Sequence, residues 1–185
     1  MIINIPNVLT LMRIAMLPLL VVIYLSDHPL AMPISALLFI LAGLTDWLDG
    51  YLARKLNQQS AFGAFLDPVA DKLIVATALF LILFRHPEVH ILIPALIIVG
   101  REITVSALRE WMAEMGRRGI VAVSYMGKLK TTLQIISIIF LLWAQPLWGL
   151  PIFEIGKWLL DIAAVLTVWS MVDYLRAALS VNKPS

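Results

Sequence analysis

Six long apolar segments, separated by short polar or proline-containing breaks, constrain the fold of this 185-residue chain more than any other feature. A helix needs about 20 mostly apolar residues to cross a bilayer. Of the residues, 61% are hydrophobic and 14% charged, whereas a soluble domain is usually about 45–50% apolar. The sequence therefore predicts one all-α integral membrane domain, residues 1–185, with six transmembrane helices at about 8–25, 33–54, 68–85, 91–111, 129–146 and 153–178.

Lysine and arginine are distributed unevenly among the breaks, and this asymmetry predicts the orientation of the chain. Most of them fall after the second and fourth segments and in the C-terminal tail, whereas the breaks on the other side have Arg85 and Lys157 alone. Because positively charged loops stay in the cytoplasm, we expect both termini to be cytoplasmic. The break between the second and third segments is expected on the same side.

Four aspartates flank that break, in the stretch DWLDGYLARKLNQQSAFGAFLDPVAD at residues 46–71. At about 100° per residue, Asp46 and Asp49 share one face of the second helix. Asp67 and Asp71 share a face of the third helix by their i, i+4 spacing. We expect that helix to begin at Asp67, with Pro68 in its first turn, because these residue types suit a cap and the position after it.

The two aspartate pairs are predicted to converge just inside the cytoplasmic interface, because a short break joins two antiparallel helices. Converging carboxylates in a low-dielectric setting cannot all stay ionised without cations. Oxygen ligands suit hard ions such as Mg²⁺ and Mn²⁺. In a soluble chain we would interpret such a pattern as a cap or turn, but ionisable residues inside a membrane usually mark function. We therefore predict two Mg²⁺ or Mn²⁺ ions with ligands from Asp46, Asp49, Asp67 and Asp71.

The pattern D-x2-D-G-x2-A-R-x8-G-x3-D-x3-D, from residue 46 to residue 71, resembles the complete signature of the CDP-alcohol phosphatidyltransferase family. The resemblance implies an enzyme that displaces CMP from a CDP-linked lipid by an alcohol, without a covalent intermediate. It implies that Asp71 is both the general base and a metal ligand. It also implies that Gly50, Ala53, Arg54 and Gly63 line the nucleotide pocket, that the protein is a homodimer, and that it lies in a bacterial inner membrane.

Two further regions narrow the resemblance to one branch of that family. The N-terminal NIPNVLTLMR, with REITVSALREWMAEMG and GKLKT at residues 127–131, resembles the phosphatidylglycerophosphate synthases. The resemblance implies CDP-diacylglycerol as the donor and sn-glycerol 3-phosphate as the acceptor. Asn7 and Thr10, at the start of the first helix, are predicted to bind the nucleotide or a metal-bound phosphate, with helix capping as the alternative.

A cluster of cations near the fourth and fifth helices supports a phosphorylated acceptor, because an anionic phosphate binds to such groups. The alternatives are cytoplasmic topology and binding to anionic headgroups. For Arg101, inside an apolar helix, pairing with Glu102 or another buried acid is an equal alternative. The predicted acceptor-phosphate residues are Lys128 and Lys130 first and Arg109 next. Arg118 and Arg101 are further candidates, and for Arg118 topology or headgroup binding is the favoured explanation.

Other functions remain open on the sequence. The same chemistry fits another acceptor, such as inositol phosphate or phosphatidylglycerol. A divalent-cation transporter is a second class, but transporter sites usually lie near the bilayer midplane between repeated halves, and this chain has one acidic cluster, off-centre. A non-catalytic lipid-binding scaffold is a third. Membrane lipids are expected partners and nucleic acids are not.

Overall fold

The part of the chain that the structure describes forms six α-helices. A computed structural model describes residues 4–56, 60–115 and 125–180, with side chains described at all of these except 5, 125–128, 173, 174 and 176–180. One isolated bridge, between Leu147 and Leu150, is the β-structure within those ranges. The helices are α1 (Ile5–Leu25), α2 (Ala31–Lys55), α3 (Ala61–Arg85), α4 (Val89–Glu114), α5 (Tyr125–Trp143) and α6 (Ile152–Ser180). The predicted all-α architecture is confirmed for the described residues.

Four of the described helices are long and apolar enough to cross a membrane: residues 6–25, 31–55, 89–114 and 152–172. Helix α3 carries Asp67, Asp71 and Lys72 in addition to its apolar residues, and the apolar described part of α5 is shorter, at Leu129–Trp143. The four spans agree with an integral membrane protein.

Helix α3 begins earlier than the sequence predicts. Its N-cap is Ser60, which has an extended backbone and accepts a hydrogen bond from the Gly63 N–H at 3.0 Å. The prediction that Asp67 caps this helix, with Pro68 in the first turn, is therefore wrong. A serine side chain satisfies the free N–H groups of a first turn as well as aspartate does, so the helix begins at Ala61 and Pro68 lies inside it.

Two other helix ends have clear local causes. Asn4 caps α1, because its side chain accepts a hydrogen bond from the Asn7 N–H at 3.0 Å. The capping alternative for Asn7 and Thr10 is therefore wrong, since Asn4 has that role. Helix α5 ends at Trp143, before the predicted end at 146, because Ala144 has a left-handed backbone with φ of 53°, which ends a regular α-helix.

The helices pack around an apolar core in a way that brings the polar residues of the sequence to one end of the molecule. Helix α1 packs against α2 and α3, and α5 packs against α2 and α6. Leu20, Phe39, Leu79, Ile98 and Leu141 are among the buried residues that fill the space between the helices. The beginnings of α1 and α3 then meet the last turns of α2 at the same end, which is where the conspicuous polar residues of the sequence lie.

Candidate active site

A single arginine connects three of the four aspartates. Arg13 lies two turns into α1 and its side chain is 1% exposed. Its Nη1 atom is 2.9 Å from Asp46 Oδ1 and 2.7 Å from Asp71 Oδ1. Its Nη2 atom is 2.6 Å from Asp49 Oδ2. One guanidinium on α1 therefore holds carboxylates from α2 and α3 together.

The fourth aspartate joins this group through Thr10, which lies one turn before Arg13 on α1. The Thr10 hydroxyl is completely buried and lies 2.7 Å from Asp67 Oδ1 and 3.4 Å from Asp49 Oδ2. Positions i and i+3 face the same side of a helix, so Thr10 and Arg13 present one polar surface to α2 and α3. The structure thus brings all four aspartates of the sequence pattern together.

The carboxylates have the chemistry of a hard-cation site, although their present partner is Arg13. Within the described ranges, no three acidic or histidine side chains are grouped closely enough to ligate one cation. The reason is geometric, because the oxygens of Asp46, Asp49 and Asp71 point at the guanidinium. A divalent ion prefers carboxylate oxygens, and Asp46 and Asp71 are 44% and 48% exposed. The donor set therefore fits a divalent ion, which would need oxygens that Arg13 now contacts.

Asn7, Ser60 and Gly63 link the beginnings of α1 and α3 beside the aspartates. The Ser60 hydroxyl donates to Asn7 Oδ1 at 2.9 Å. A Cβ at position 63 would lie 2.6 Å from the same Asn7 oxygen, so glycine is what permits this close approach. Of the predicted nucleotide residues, Asn7 and Gly63 are thus in contact.

The other predicted nucleotide residues lie on the last turns of α2. Gly50 and Ala53 are half-buried and Arg54 is exposed. A Cβ at position 50 would lie 3.8 Å from an Arg54 nitrogen, which is an ordinary contact. This surface is therefore open enough for a bulky ligand to lie against the helix backbone.

A cavity of about 580 Å³ extends from the aspartates towards α4 and α5. Asp46 and Asp71 line one side of it, next to Arg13. Arg101 and Arg109 of α4 line another part. The cavity therefore joins an acidic wall to a basic wall, and apolar side chains of α2, α3 and α5 form much of the remaining lining.

Glu102 forms ion pairs with a buried cation of α4 and with one of α5. Its Oε1 atom is 3.1 Å from Lys130 Nζ and 3.1 Å from Arg101 Nη1. Lys130 has a side chain that is only 1% exposed. The sequence left open whether Arg101 pairs with Glu102 or lines a phosphate site. In the structure, Arg101 pairs with Glu102 and also lines the cavity. Among the other predicted phosphate residues, Arg109 also lines the cavity, whereas Arg118 and the Lys128 side chain lie outside the described residues.

Sequence reasoning missed several contributors to this site. Arg13 is the last residue of the segment NIPNVLTLMR, on which the resemblance partly rests, but it was not predicted as a site residue, although a charge inside an apolar helix is itself a signal of function. Ser60 has the residue type of a helix cap, but the apparent cap at Asp67 concealed it. The cavity residues Lys72, Thr131 and Gln134 gave no distinctive spacing in the sequence.

Comparison with known proteins assigns the chain to a family. The CDP-alcohol phosphatidyltransferase family model matches residues 3–169. A relative from Salmonella choleraesuis (strain SC-B67), named CDP-diacylglycerol--glycerol-3-phosphate 3-phosphatidyltransferase, is 49% identical over 95% of this chain and 94% of its own length. Proteins of the same name from Shigella flexneri serotype 5b (strain 8401) and Escherichia coli (strain K12) are 47% identical over the same shares. The chain belongs to the CDP-alcohol phosphatidyltransferase family.

Proposed function

We propose that this protein transfers the phosphatidyl group of CDP-diacylglycerol to sn-glycerol 3-phosphate, giving phosphatidylglycerophosphate and CMP. The observation that carries the proposal is the identity of 47–49% to relatives of that named activity, over 95% of this chain. The site is compatible with it, because one cavity joins Asp46 and Asp71 to Arg101 and Arg109. Glu102, which also lines this cavity, pairs with the buried Lys130. The diphosphate of the liponucleotide needs the carboxylates, which can hold metal ions, and the phosphate of the acceptor alcohol needs the cations. The two substrates therefore need these two environments next to each other.

The carboxylates supply the chemistry of the donor side. Members of this family generally depend on a divalent metal, and we propose two Mg²⁺ or Mn²⁺ ions held by Asp46, Asp49, Asp67 and Asp71. Such ions neutralise charge on a diphosphate and on the departing phosphate.

Asp71 is proposed as the general base. Its carboxylate is half-exposed and lines the cavity, so an incoming hydroxyl has access to it. As the acceptor oxygen bonds to the β-phosphorus, the bond from that phosphorus to the CMP oxygen breaks. The hydroxyl proton passes to the Asp71 carboxylate, and a base so placed typically contributes about 10²–10⁴-fold to the rate.

The remaining predicted residues divide between the two substrates. For the acceptor phosphate we propose Lys130, Arg101 and Arg109, supported by their burial or position in the cavity wall, together with Lys128 and Arg118 on the sequence pattern alone. For the nucleotide we propose the residues at the ends of α1, α2 and α3 that surround the carboxylates: Asn7, Thr10, Gly50, Ala53, Arg54 and Gly63.

The distribution of lysine and arginine supports the placement of the protein in the membrane. We propose one domain over residues 1–185 with six spans, both termini in the cytoplasm and the active site facing the cytoplasm. The bacterial relatives support an inner-membrane location, and the family supports a homodimer.

The proposal is tested with purified protein in detergent or proteoliposomes, by measuring CMP release from CDP-diacylglycerol. We expect release with sn-glycerol 3-phosphate and Mg²⁺ or Mn²⁺, little release with glycerol, inositol phosphate or phosphatidylglycerol, and none with excess chelator. Release that needs a non-phosphorylated alcohol, or is unaffected by chelator, contradicts the proposal. Metal flux into the proteoliposomes without CMP formation would instead indicate a transporter.

A further inference from the structure

Gln134 is a buried polar residue in the cavity wall to which the chemistry above gives no part. Its side chain is on α5 and the residue is 4% exposed. Its Oε1 atom is buried and accepts no hydrogen bond from the described residues. A buried carbonyl oxygen without a donor is costly and uncommon in folded proteins, so this oxygen calls for an explanation.

The position of Gln134 relates it to the residues that we assign to the acceptor phosphate. It lies four residues after Lys130, so both side chains are on one face of α5. Four residues advance an α-helix by about 6 Å. Gln134 is therefore about one turn further into the helix than the cation that we assign to the acceptor phosphate. That spacing is similar to the reach from a phosphate to a hydroxyl on a three-carbon chain.

The chemistry of the cavity lining restricts which ligand group can donate a hydrogen bond to Gln134 Oε1. The oxygen accepts hydrogen bonds and does not donate them, so its partner carries an O–H or N–H. The nearby cavity residues Arg101 and Arg109 disfavour a cationic donor and favour a ligand with an anionic end. A neutral hydroxyl on a phosphorylated polyol meets both requirements.

We propose that Gln134 determines acceptor specificity by accepting a hydrogen bond from the secondary hydroxyl of a phosphorylated polyol. This inference rests on the proposed function, in which the primary hydroxyl of the same molecule attacks near Asp71. With the phosphate at the basic wall and the primary hydroxyl at Asp71, the hydroxyl at the central carbon is the donor left over. Because that carbon is the stereocentre of glycerol phosphate, the contact also selects one enantiomer.

The test compares acceptors that differ only at the central carbon. The purified protein is assayed for CMP release with sn-glycerol 3-phosphate, with its enantiomer sn-glycerol 1-phosphate, and with 3-hydroxypropyl phosphate, which lacks the secondary hydroxyl. We expect wild-type kcat/KM to be about ten- to a hundred-fold higher for sn-glycerol 3-phosphate than for either analogue, as expected when a buried acceptor loses its donor.

Gln134→Met keeps the size of the side chain and removes the acceptor oxygen. We expect it to lower kcat/KM for sn-glycerol 3-phosphate about ten-fold or more and to leave that for 3-hydroxypropyl phosphate nearly unchanged, so that the preference disappears. Gln134→Glu retains an acceptor oxygen and is expected to retain the preference, at a higher KM because it adds a negative charge. The matched control is Ser137→Ala on the same helix, where the hydroxyl donates to the Gly156 carbonyl at 2.8 Å, and where the preference is expected to stay as in wild type.

Two results overturn the inference. One is equal loss on all three acceptors in Gln134→Met, which indicates a packing role. The other is a wild-type preference below about three-fold, which is measurable even if the methionine variant does not fold. If wild type releases no CMP with any glycerol phosphate, the proposed function itself fails, and this outcome is distinct from both.

Discussion

Nη2 of Arg13 lies 2.6 Å from Oδ2 of Asp49, and the two side chains are only 1% and 4% exposed. They form a buried ion pair between α1 and α2. Because Nη1 of the same guanidinium contacts Asp46 and Asp71, one cation compensates the charge of several carboxylates. Removing one partner of a buried pair leaves an uncompensated charge, which typically costs about 3–5 kcal/mol.

The first prediction follows for Arg13→Gln. In the presence of chelator, we expect this variant to unfold at a clearly lower temperature than wild type, because the aspartates lose their cation. Added Mg²⁺ or Mn²⁺ should raise the Tm of the variant more than that of wild type, since the ion replaces the lost charge. Thermal unfolding in detergent measures both effects.

The control for Arg13 is Arg85→Gln at the far end of α3. Arg85 Nη1 donates to the Tyr24 carbonyl at 3.0 Å and has no place in the acidic cluster. Its replacement should not make the Tm depend more strongly on metal. An Arg13→Gln variant that is as stable as wild type in chelator would show that the pair contributes little.

The second prediction concerns the glycine that touches Asn7. In a helix, alanine is usually about 1 kcal/mol more favourable than glycine. At position 63, however, the added Cβ would lie 2.6 Å from Asn7 Oδ1, so Gly63→Ala should lower both the Tm and the affinity for the liponucleotide. Thermal unfolding and CMP-release kinetics measure these two effects.

Gly100→Ala is the matched control for Gly63, because a Cβ at position 100 meets nothing within 4 Å. This variant is expected to equal or exceed wild type in Tm. If the contact with Asn7 is the cause, adding Asn7→Ala to Gly63→Ala should recover part of the lost Tm. A double variant no more stable than Gly63→Ala alone would assign the loss to another contact.

The helices and the grouping of the aspartates could be predicted from the sequence, because both depend on local patterns. Apolar length defines a membrane helix, and helical periodicity places Asp46 and Asp49 on one face. The start of α3 could not be predicted from such rules. Ser60 and Asp67 are both suitable caps, and the choice depends on the contact between Ser60 and Asn7 of α1.

The partners of the charged residues could not be predicted for a related reason. The contacts of Arg13 depend on how α1 packs between α2 and α3, and those of Lys130 on how α5 approaches α4. Sequence periodicity defines the face of a helix but not the residue opposite it. Gln134 is the extreme case, because a lone amide has no sequence signal and becomes conspicuous only through its burial.

The third prediction tests Lys130, which we assign to the acceptor phosphate. Hydrogen bonds to charged groups contribute about 1.5–3 kcal/mol, which corresponds to roughly ten-fold or more in affinity. Lys130→Met should therefore raise KM for sn-glycerol 3-phosphate by about that factor and change KM for CDP-diacylglycerol little. Initial rates of CMP release at varied concentrations of each substrate measure the two constants.

Lys157→Met is the control for Lys130, because Lys157 pairs with Glu88 and Glu154 at 2.9 Å each, away from the cavity. Its KM values should equal those of wild type. Equal increases in both KM values for Lys130→Met would remove its assigned role.

The fourth prediction is a pH effect at the far end of α3. Burial lowers the pKa of His86 below its ordinary value of 6.5, because the charged ring loses its solvation there. The ring also packs against Phe153, with ring centroids 4.6 Å apart. The unfolded chain then binds more protons than the folded one as the pH falls below about 6.5, so the free energy of unfolding decreases.

His86→Phe should remove this contribution. Between pH 8 and pH 5.5, we expect the Tm of the variant to fall less than that of wild type. His28→Phe, in the exposed break before α2, is the control and should keep the wild-type slope. Parallel slopes for wild type and His86→Phe would contradict the prediction.

The fifth prediction separates chemistry from binding at Asp71. Asp71→Asn keeps the size of the side chain but has no carboxylate to accept the hydroxyl proton, so kcat should fall by about 10²–10⁴. Binding of CDP-diacylglycerol should weaken less, because Asp46, Asp49 and Asp67 are intact. Single-turnover CMP release and equilibrium binding of the liponucleotide measure the two effects separately.

The control for this prediction is Asp161→Asn, which makes the same chemical change at a carboxylate that lies 3.2 Å from His90. This variant should leave kcat as in wild type. A loss of binding as large as the loss of kcat in Asp71→Asn would mean that this carboxylate acts on the donor and not as the base.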